Sequence, residues 1–260
     1  MQENSASVAL DFCKRDPVLY VDISECILRG AAEILYARSE NSALDGVLLY
    51  ERESGIYALA ATKTEGAGTA LSYLNERDLA SKSRWLVAHG EGARKAAYER
   101  LHIVRETACF QIAYPFKAPV PLTGSLRFAP PDRKQIETIK KVYSLEPPEN
   151  IEKLCQQNKI FCGFATRTAD GISEGEFVGF IGSHPEGSMG MLHVFEQFRR
   201  RGFAEELEKR LMNLYLESGR VPYGHVITDN SVSLSLQKKL GFEVAGEKVY
   251  WLREDENFSV

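Results

Sequence analysis

Paired cysteines are missing from this chain. Its five cysteines, Cys13, Cys26, Cys109, Cys155 and Cys162, are odd in number and have no CxxC spacing, which argues against a disulfide framework and against a zinc site. No apolar run approaches the roughly 20 residues that span a bilayer, and Met1-Gln2-Glu3-Asn4 does not begin a signal peptide. Basic residues are not in excess either: 32 Lys and Arg stand against 36 Asp and Glu, a net charge of -4, so no broad nucleic-acid surface is expected. These absences leave a cytoplasmic chain with no metal, no membrane partner and no nucleic-acid partner as the expectation. Hydrophobic content of 44% over 260 residues is enough to fill two modest cores.

One stretch stands out from this acidic background. Arg199-Arg200-Arg201-Gly202-Phe203-Ala204 lies between an apolar extended run, Met191 to Phe195, and a helix whose apolar face is traced by Ala204, Leu207, Leu211 and Leu214. Gly202 carries no Cβ and Ala204 little bulk, so an anion can approach the backbone. The N–H groups of a first helical turn and the positive end of the helix dipole suit a pyrophosphate.

Pro115, Pro119 and Pro121 cluster in a stretch that continues neither helix nor ladder, and they place a linker at 115–124 between domains at 1–114 and 125–260. In the first domain, Asp22 and Glu25 read as a capping box for a helix with Ile23, Ile27, Ala31, Ile34 and Leu35 on its apolar face. A strand pair at 46–50 and 56–60, a strand at 85–88, a helix at 92–101 and an extended segment at 103–114 follow. The last three elements recur in the second domain at one constant offset, with Val87 on Val226 and Leu101 on Leu240, which points to two related halves in tandem. In the second domain, strands at 125–128, 160–165 and 177–181 join the helices marked by Ile136, Ile139, Val142 and Tyr143 and by Ile151 and Leu154. The two later strands flank a polar loop at 168–171, and Gly163, Gly179 and Gly182 within them read as bulges, as close approach by a ligand, or as turn punctuation.

Strand, basic turn, helix, strand and a closing Leu240-Gly241-Phe242, in this order, resemble the GNAT superfamily of acyl-CoA N-acyltransferases. Its Gln/Arg-x-x-Gly-x-Gly/Ala signature matches Arg199, Gly202 and Ala204, and its Asn…Leu-Gly-Phe segment matches Asn230 and residues 240–242. Gly187 to Gly190 and Val221 to Val226 are similar to the glycine N-acyltransferase-like branch. The resemblance implies an α/β (α+β) chain of two tandem GNAT-like mixed-sheet domains. The N-terminal one is degenerate, because it has no Arg-x-x-Gly-x-Ala equivalent.

It also implies an acetyl-CoA or other short acyl-CoA co-substrate and a small-molecule or amino-acid amine as acceptor. The pyrophosphate would rest on Arg199, Arg200, Arg201, Gly202, Phe203 and Ala204, and the pantetheine arm would pair with Leu192, His193 and Val194. Asn230 would cap the next helix and reach the pantetheine amide. The branch's glutamate base falls on Ser188 and the superfamily's tyrosine acid on Gln237, neither of which transfers a proton usefully at neutral pH. Glu186 and His193 are therefore the candidates for proton transfer, with His225 behind them. A CoA-binding module with little turnover and a protein-lysine acetyltransferase are the alternatives. The acceptor, the acyl length and the oligomeric state, a homodimer included, stay open.

Overall fold

Two helices open the chain, α1 (Gln2–Cys13) and α2 (Val21–Leu28), followed by strands β1 (Ala32–Arg38), β2 (Gly46–Glu51) and β3 (Ile56–Ala61). Next come α3 (Thr64–Leu71), β4 (Ser83–His89), α4 (Gly90–Arg100) and β5 (Ile103–Ala113). After the proline-rich stretch lie β6 (Leu126–Ala129), α5 (Arg133–Val142), α6 (Pro148–Gln156), β7 (Ile160–Ala165), β8 (Phe177–Ser183) and β9 (Met189–Val194). The chain ends with α7 (Phe203–Glu217), β10 (Tyr223–Ile227), α8 (Ser231–Lys239) and β11 (Glu243–Asp255). This computed structural model describes residues 2–74, 83–168 and 171–255; Ala169 and Asp170 of the expected polar loop lie outside them. No helix among the described residues is long and apolar enough to cross a membrane.

By compactness the chain divides into one unit of Met1–Tyr114 with His225–Val260 and a second of Pro115–Gly224. The break after Tyr114 coincides with the start of the expected linker, whereas residues 225–260 group with the first unit.

In the first unit the strand order is β1-β2-β3-β4-β11-β5, and the C-terminal end of β10 leads to Thr228, whose N–H donates to Ala108 O (3.1 Å). β11 is antiparallel to both neighbours, pairing Tyr250 with Ala88 on one side and with Ala108 on the other. The offset read from the sequence thus carries a structural meaning: β4-α4-β5 and β10-α8-β11 repeat, and the closing strand of the later trio lies between the two strands of the earlier one. Alternation along β2 splits the core. Val47 and Leu49 pack with Phe12, Ile23 and Val87 on the α1–α2 face, and Leu48 packs with Tyr57, Ala67, Ala93 and Leu252 on the α3–α4 face.

Two expectations are corrected in this unit. Ile34 and Leu35 belong to β1, because Gly30 turns the chain at φ +70° before the helical spacing reaches them. Asp22 is not an N-cap: α2 starts after Tyr20 without a side-chain cap there, and the Asp22 carboxylate is buried, accepting from Ile23 N–H (2.9 Å) and facing His89. His89 Nε2 lies 2.9 Å from each Asp22 oxygen and Nδ1 lies 2.9 Å from Leu59 O. Both partners accept only, so both ring nitrogens carry protons and His89 is an imidazolium. Burial alone would lower the imidazole, but the Asp22 charge and hydrogen bond leave it raised. Burial would likewise raise Asp22, and the charges of His89 and His225 hold it below its ordinary value.

In the second unit the order is β9-β8-β7-β6, all antiparallel. Helix α5 begins with a full capping box, Gln135 N–H donating to Asp132 and the Gln135 side chain accepting from Asp132 N–H (both 2.8 Å). Ile139, Ile151 and Leu154 from α5 and α6 pack on Cys162, Phe180 and Met191; each large side chain removed from water contributes about 1.5–3 kcal/mol. Helix α7 covers the opposite face and fastens the proline-rich stretch. Its buried Asn213 exchanges hydrogen bonds with Val120 N–H and C=O (2.7 and 2.9 Å), and buried Glu206 accepts from the N–H of Thr123 and Gly124 (2.9 and 2.8 Å).

Candidate coenzyme site

β9 departs from a regular strand. Against β8 it pairs Met189 with Ser183 and Gly190 with Gly182, then His193 with Phe180 and Val194 with Gly179, so it carries one residue more than its partner. Met191 takes φ +52° at that point, a β-bulge that twists the strand. On its other edge the ladder with β10 is one parallel pair, Met189 with Gly224. From Gly190 to Val194 that edge has no ladder partner among the described residues, and an extended molecule can add to such an edge.

The three glycines of β7 and β8 serve the chain itself. A Cβ at Gly179 would stand 2.2 Å from His193 O, and one at Gly182 would stand 2.8 Å from Lys159 O. At Gly163 it would press on Leu126 and Leu207, at 3.0 and 3.1 Å. Neighbouring chain approaches closely at each of these glycines, and the ladder registers shift beside them, between Gly163 and Phe164 and between Phe180 and Gly182, as the bulge reading expects.

Past β9 the backbone makes one 3-10 turn at Glu196–Phe198, and Arg199 Nε donates to Val194 O (3.1 Å). Arg200 and Gly202 then both turn left-handed, at φ +61° and +83°, and α7 begins. A Cβ at Gly202 would meet nothing within 4 Å, so the protein's own packing does not require glycine there. What favours glycine is the positive φ and the access it leaves to the main chain from outside. Glu206 N–H is the donor bonded to Gly202 O (3.1 Å), so the N–H groups of Phe203 and Ala204 before it point out of the helix end, and no side chain caps it. Arg199 to Gly202 are exposed. The first-turn carboxylates are turned elsewhere, Glu206 to Thr123 and Gly124 and Glu205 to Lys209 (2.8 Å).

The residues expected to hold pyrophosphate and pantetheine are therefore consecutive along one path, Leu192 to Val194 on the open edge and Arg199 to Ala204 at its end. Asn230 belongs to the first unit and accepts from Ser233 N–H (3.0 Å) as the cap of α8. Gln237 is buried in the same helix. His193 stacks on Phe180 (5.4 Å between centroids, 14° between planes) with the edge of Phe195 against it. Burial and the Arg199 charge lower its pKa.

Glu186 is not on β9 but in the turn between β8 and β9, where Ser188 Oγ donates to it at 2.5 Å. Burial raises its carboxyl, against the opposing effects of His184 and of the Ser188 hydrogen bond. The turn is fixed from behind: His184 N–H donates to Ser188 O (2.9 Å), Tyr215 Oη and Arg220 donate to Gly187 O (2.8 and 3.0 Å), and Tyr223 Oη donates to Glu186 O (3.2 Å). Glu186 and the bare helix end thus flank the two ends of β9.

Sequence reasoning missed four residues around this turn. His184 Nδ1 lies 2.7 Å from Glu146 Oε1, and Asn150 holds the other Glu146 oxygen (3.0 Å). The Tyr143 ring, at the end of α5, stands 6.4 Å from that of His184. Glu146 and His184 are 38 positions apart, so no local spacing could have paired them.

The comparisons with known proteins bear on this geometry. Residues 169–252 match the family model described as FR47-like protein. No curated protein matches the chain. Among solved structures, a Drosophila protein is similar over 99% of this chain and 98% of its own at 12% identity, with a TM-score of 0.67. A candidate acetyltransferase of the GNAT family from Novosphingobium aromaticivorans is similar over 92% and 97% at 16% identity, TM-score 0.50. A tandem GNAT protein from the clavulanic acid biosynthesis pathway is similar over 99% and 97% at 13% identity, TM-score 0.50. The fold of this chain is the mixed-sheet GNAT fold in its two-domain form.

Proposed function

We propose that this protein is an acyl-CoA-dependent N-acyltransferase that moves an acetyl or short acyl group to the amine of a small molecule, in the manner of the glycine N-acyltransferase-like branch. One observation carries the reading: a bulged strand with an open edge runs directly into an uncapped helix end with two left-handed residues. The diphosphate would lie across Arg199 to Ala204, on main-chain N–H groups beyond Arg199, whose own N–H donates to Glu196 O (3.2 Å), with the arginine side chains as counter-charges. The pantetheine amides would pair with Leu192 to Val194 as an added strand and carry the thioester toward Gly190. Glu186, in the turn before β9, and His193, on β9 itself, are the groups the resemblance offers for proton transfer. The acyl-CoA domain is assigned to residues 125–260, and the location to the cytoplasm. Acetyl-transferring proteins of similar fold support an acyl-CoA co-substrate in general.

Calorimetry with CoA and acetyl-CoA, followed by thiol release from acetyl-CoA across a panel of amines and amino acids, tests the reading. Saturable CoA binding with amine-dependent thiol release is expected. Absence of binding by the folded full chain would sink it. A CoA-binding module with little turnover is the second reading, favoured by Gln237, which is buried where the resemblance calls for a tyrosine acid. Binding without thiol release for any amine would select it.

A further inference from the structure

His184 stands where a base is needed and is built as one. Register sets the face: Gly190 pairs with Gly182 and His193 with Phe180, so Phe180, Gly182, His184, Gly190 and His193 all address the α5–α6 side of the sheet. Gly190 has no side chain, and the His184 ring occupies that space. A Cβ there would lie 2.4 Å from His184 Nε2 and 2.6 Å from its Cδ2. The glycine therefore brings Nε2 against the β9 backbone immediately before the bulge.

The other ring nitrogen is committed. Nδ1 faces the Glu146 carboxylate at 2.7 Å, an acceptor, so Nδ1 carries the proton and the neutral ring presents its lone pair at Nε2. The side chain is 21% exposed, enough for an acceptor to reach it, while that of Glu146 is 11% exposed. The groups facing the ring from the elements packed on it are Glu146 and Tyr143 from the end of α5 and the loop after it, and Glu186 and Ser188 from the hairpin turn.

From this geometry we infer that His184, oriented by Glu146, is the catalytic base of the acyl transfer, and that Glu186 supplies a negative charge suited to a cationic amine acceptor. This assignment rests on the acyl-CoA reading above. The neutral amine, its ammonium proton already lost to solvent, attacks the thioester carbon, and a C–N bond forms as the carbonyl electron pair moves to oxygen. The amine's surplus N–H proton passes to His184 Nε2. The C=O bond re-forms, the C–S bond breaks with its electron pair on sulfur, and His184 returns the proton to the thiolate, so amine and thioester become amide and thiol. Glu146 is a positioning residue that fixes the tautomer.

The full chain and its H184N, E146Q and E186Q variants test this with acetyl-CoA and n-butylamine, ethanolamine and glycine as probe acceptors, alongside calorimetry with CoA and nitrogen-resolved NMR of the histidine rings. In the wild type, neutral His184 is expected as the Nδ1–H tautomer. H184N is expected to bind CoA as the wild type does and to lose about 10²–10⁴-fold in kcat, the range general-base removal gives. In E146Q the imidazole loses a carboxylate that raises its pKa, so the acid limb of the kcat profile moves to lower pH while kcat falls. A merely structural role would not move that limb. E186Q is expected to raise KM for n-butylamine more than for glycine, whose carboxylate Glu186 repels.

An Nε2–H tautomer in the wild type, or full turnover in folded H184N, overturns the assignment whatever the amine. CoA binding with no turnover of any probe, together with the Nε2–H tautomer, overturns it while leaving the CoA site standing. Failure of the wild type to bind CoA overturns the acyl-CoA reading itself, and this assignment with it.

Discussion

Two crossovers of the same kind, β3-α3-β4 and β9-α7-β10, have opposite characters. β3 and β4 form an uninterrupted parallel ladder from Ile56–Trp85 to Ala60–His89, whereas β9 and β10 share the single pair Met189–Gly224. β9 is bulged at Met191, and no register shift interrupts β3 against β2 or β4. After β3 the chain enters a helix of 8 residues through an extended Lys63, and after β9 it enters one of 15 residues through Arg200 and Gly202 in left-handed conformation. The comparison separates what the fold needs from what a ligand would need. A crossover requires a strand, a helix and a parallel partner. Neither helix start carries a side-chain cap, so what sets the β9 crossover apart is its open strand edge and the left-handed entry that bares the main chain at Gly202. These add nothing to packing, and their presence in one crossover alone points to use rather than structure.

The largest expected effect lies on the closed side. Where β9 has an open edge, the end of β4 has the buried His89–Asp22 pair joining it to α2. Breaking a buried pair leaves an uncompensated charge, so Asp22→Ala is expected to cost about 3–5 kcal/mol, read from urea unfolding. The pair also has a pH signature. His89 is raised in the fold, so its contribution is full below the ordinary histidine value and is lost as pH rises through the raised one. Asp22 is lowered, so its contribution is present above the ordinary aspartate value and is lost as pH falls through the lowered one. The gap in stability between wild type and variant should narrow toward alkaline and toward strongly acid pH. A gap independent of pH would show that packing, not charge, holds α2 there.

On the open side, Gly202→Glu is expected to weaken CoA binding at least 100-fold, about 2.7 kcal/mol, by placing a carboxylate at the helix end where the diphosphate would lie. Since a Cβ at 202 meets no atom within 4 Å, the variant should fold, with only the cost of about 1–2 kcal/mol of a side chain at positive φ. The companion change Lys63→Glu at the start of α3 should leave CoA affinity within twofold, because the closed crossover is assigned no ligand. Equal losses in the two variants, measured calorimetrically, would erase the distinction between the crossovers.

Much of this contrast was legible in the residues. The constant offset of Val87 on Val226 located six elements, and Gly202 with three arginines before it marked the helix end. What was not legible depended on contacts distant in sequence. Ile34 and Leu35 continue the helical spacing of Ile23 and Ile27, and only the turn at Gly30 sends them into a strand. Helix α3 escaped notice because Gly66 and Gly68 weaken its pattern; a Cβ at Gly66 would stand 2.7 Å from Asp45 O, so packing set that glycine against helix propensity. Asp22 looked like a cap because its partner, His89, is 67 positions away. The bulge at Met191 has no signature in residue type, since an ordinary methionine takes the left-handed conformation there.

A subtler test addresses the bulge. Gly179 lets the backbone of β9 approach, and Gly179→Ala would drive a methyl group against His193 O. Overpacking of this kind costs about 1–3 kcal/mol, and the shift of β9 should weaken CoA binding along with it. Gly55→Ala, in the β2–β3 turn at φ +78°, is the control: a comparable stability cost with no change in CoA affinity. Loss of affinity in both variants would mean that CoA binding follows global stability and not the shape of β9.

The smallest expected effect concerns Asn230, which the resemblance assigns to the coenzyme and the fold employs as a cap. Its Oδ1 is already taken by Ser233 N–H. Asn230→Ala should therefore cost about 1 kcal/mol in stability, whereas Asn230→Asp, an equally good cap, should cost almost none. The two variants separate the roles, because a carboxylate keeps the cap oxygen but discards the amide donor. If the aspartate variant matches the wild type in unfolding yet loses CoA affinity severalfold, the Nδ2 group contacts the coenzyme and the first unit contributes to binding. If both variants bind CoA as the wild type does, Asn230 serves α8 alone, and the coenzyme contacts proposed here reduce to β9 and the start of α7.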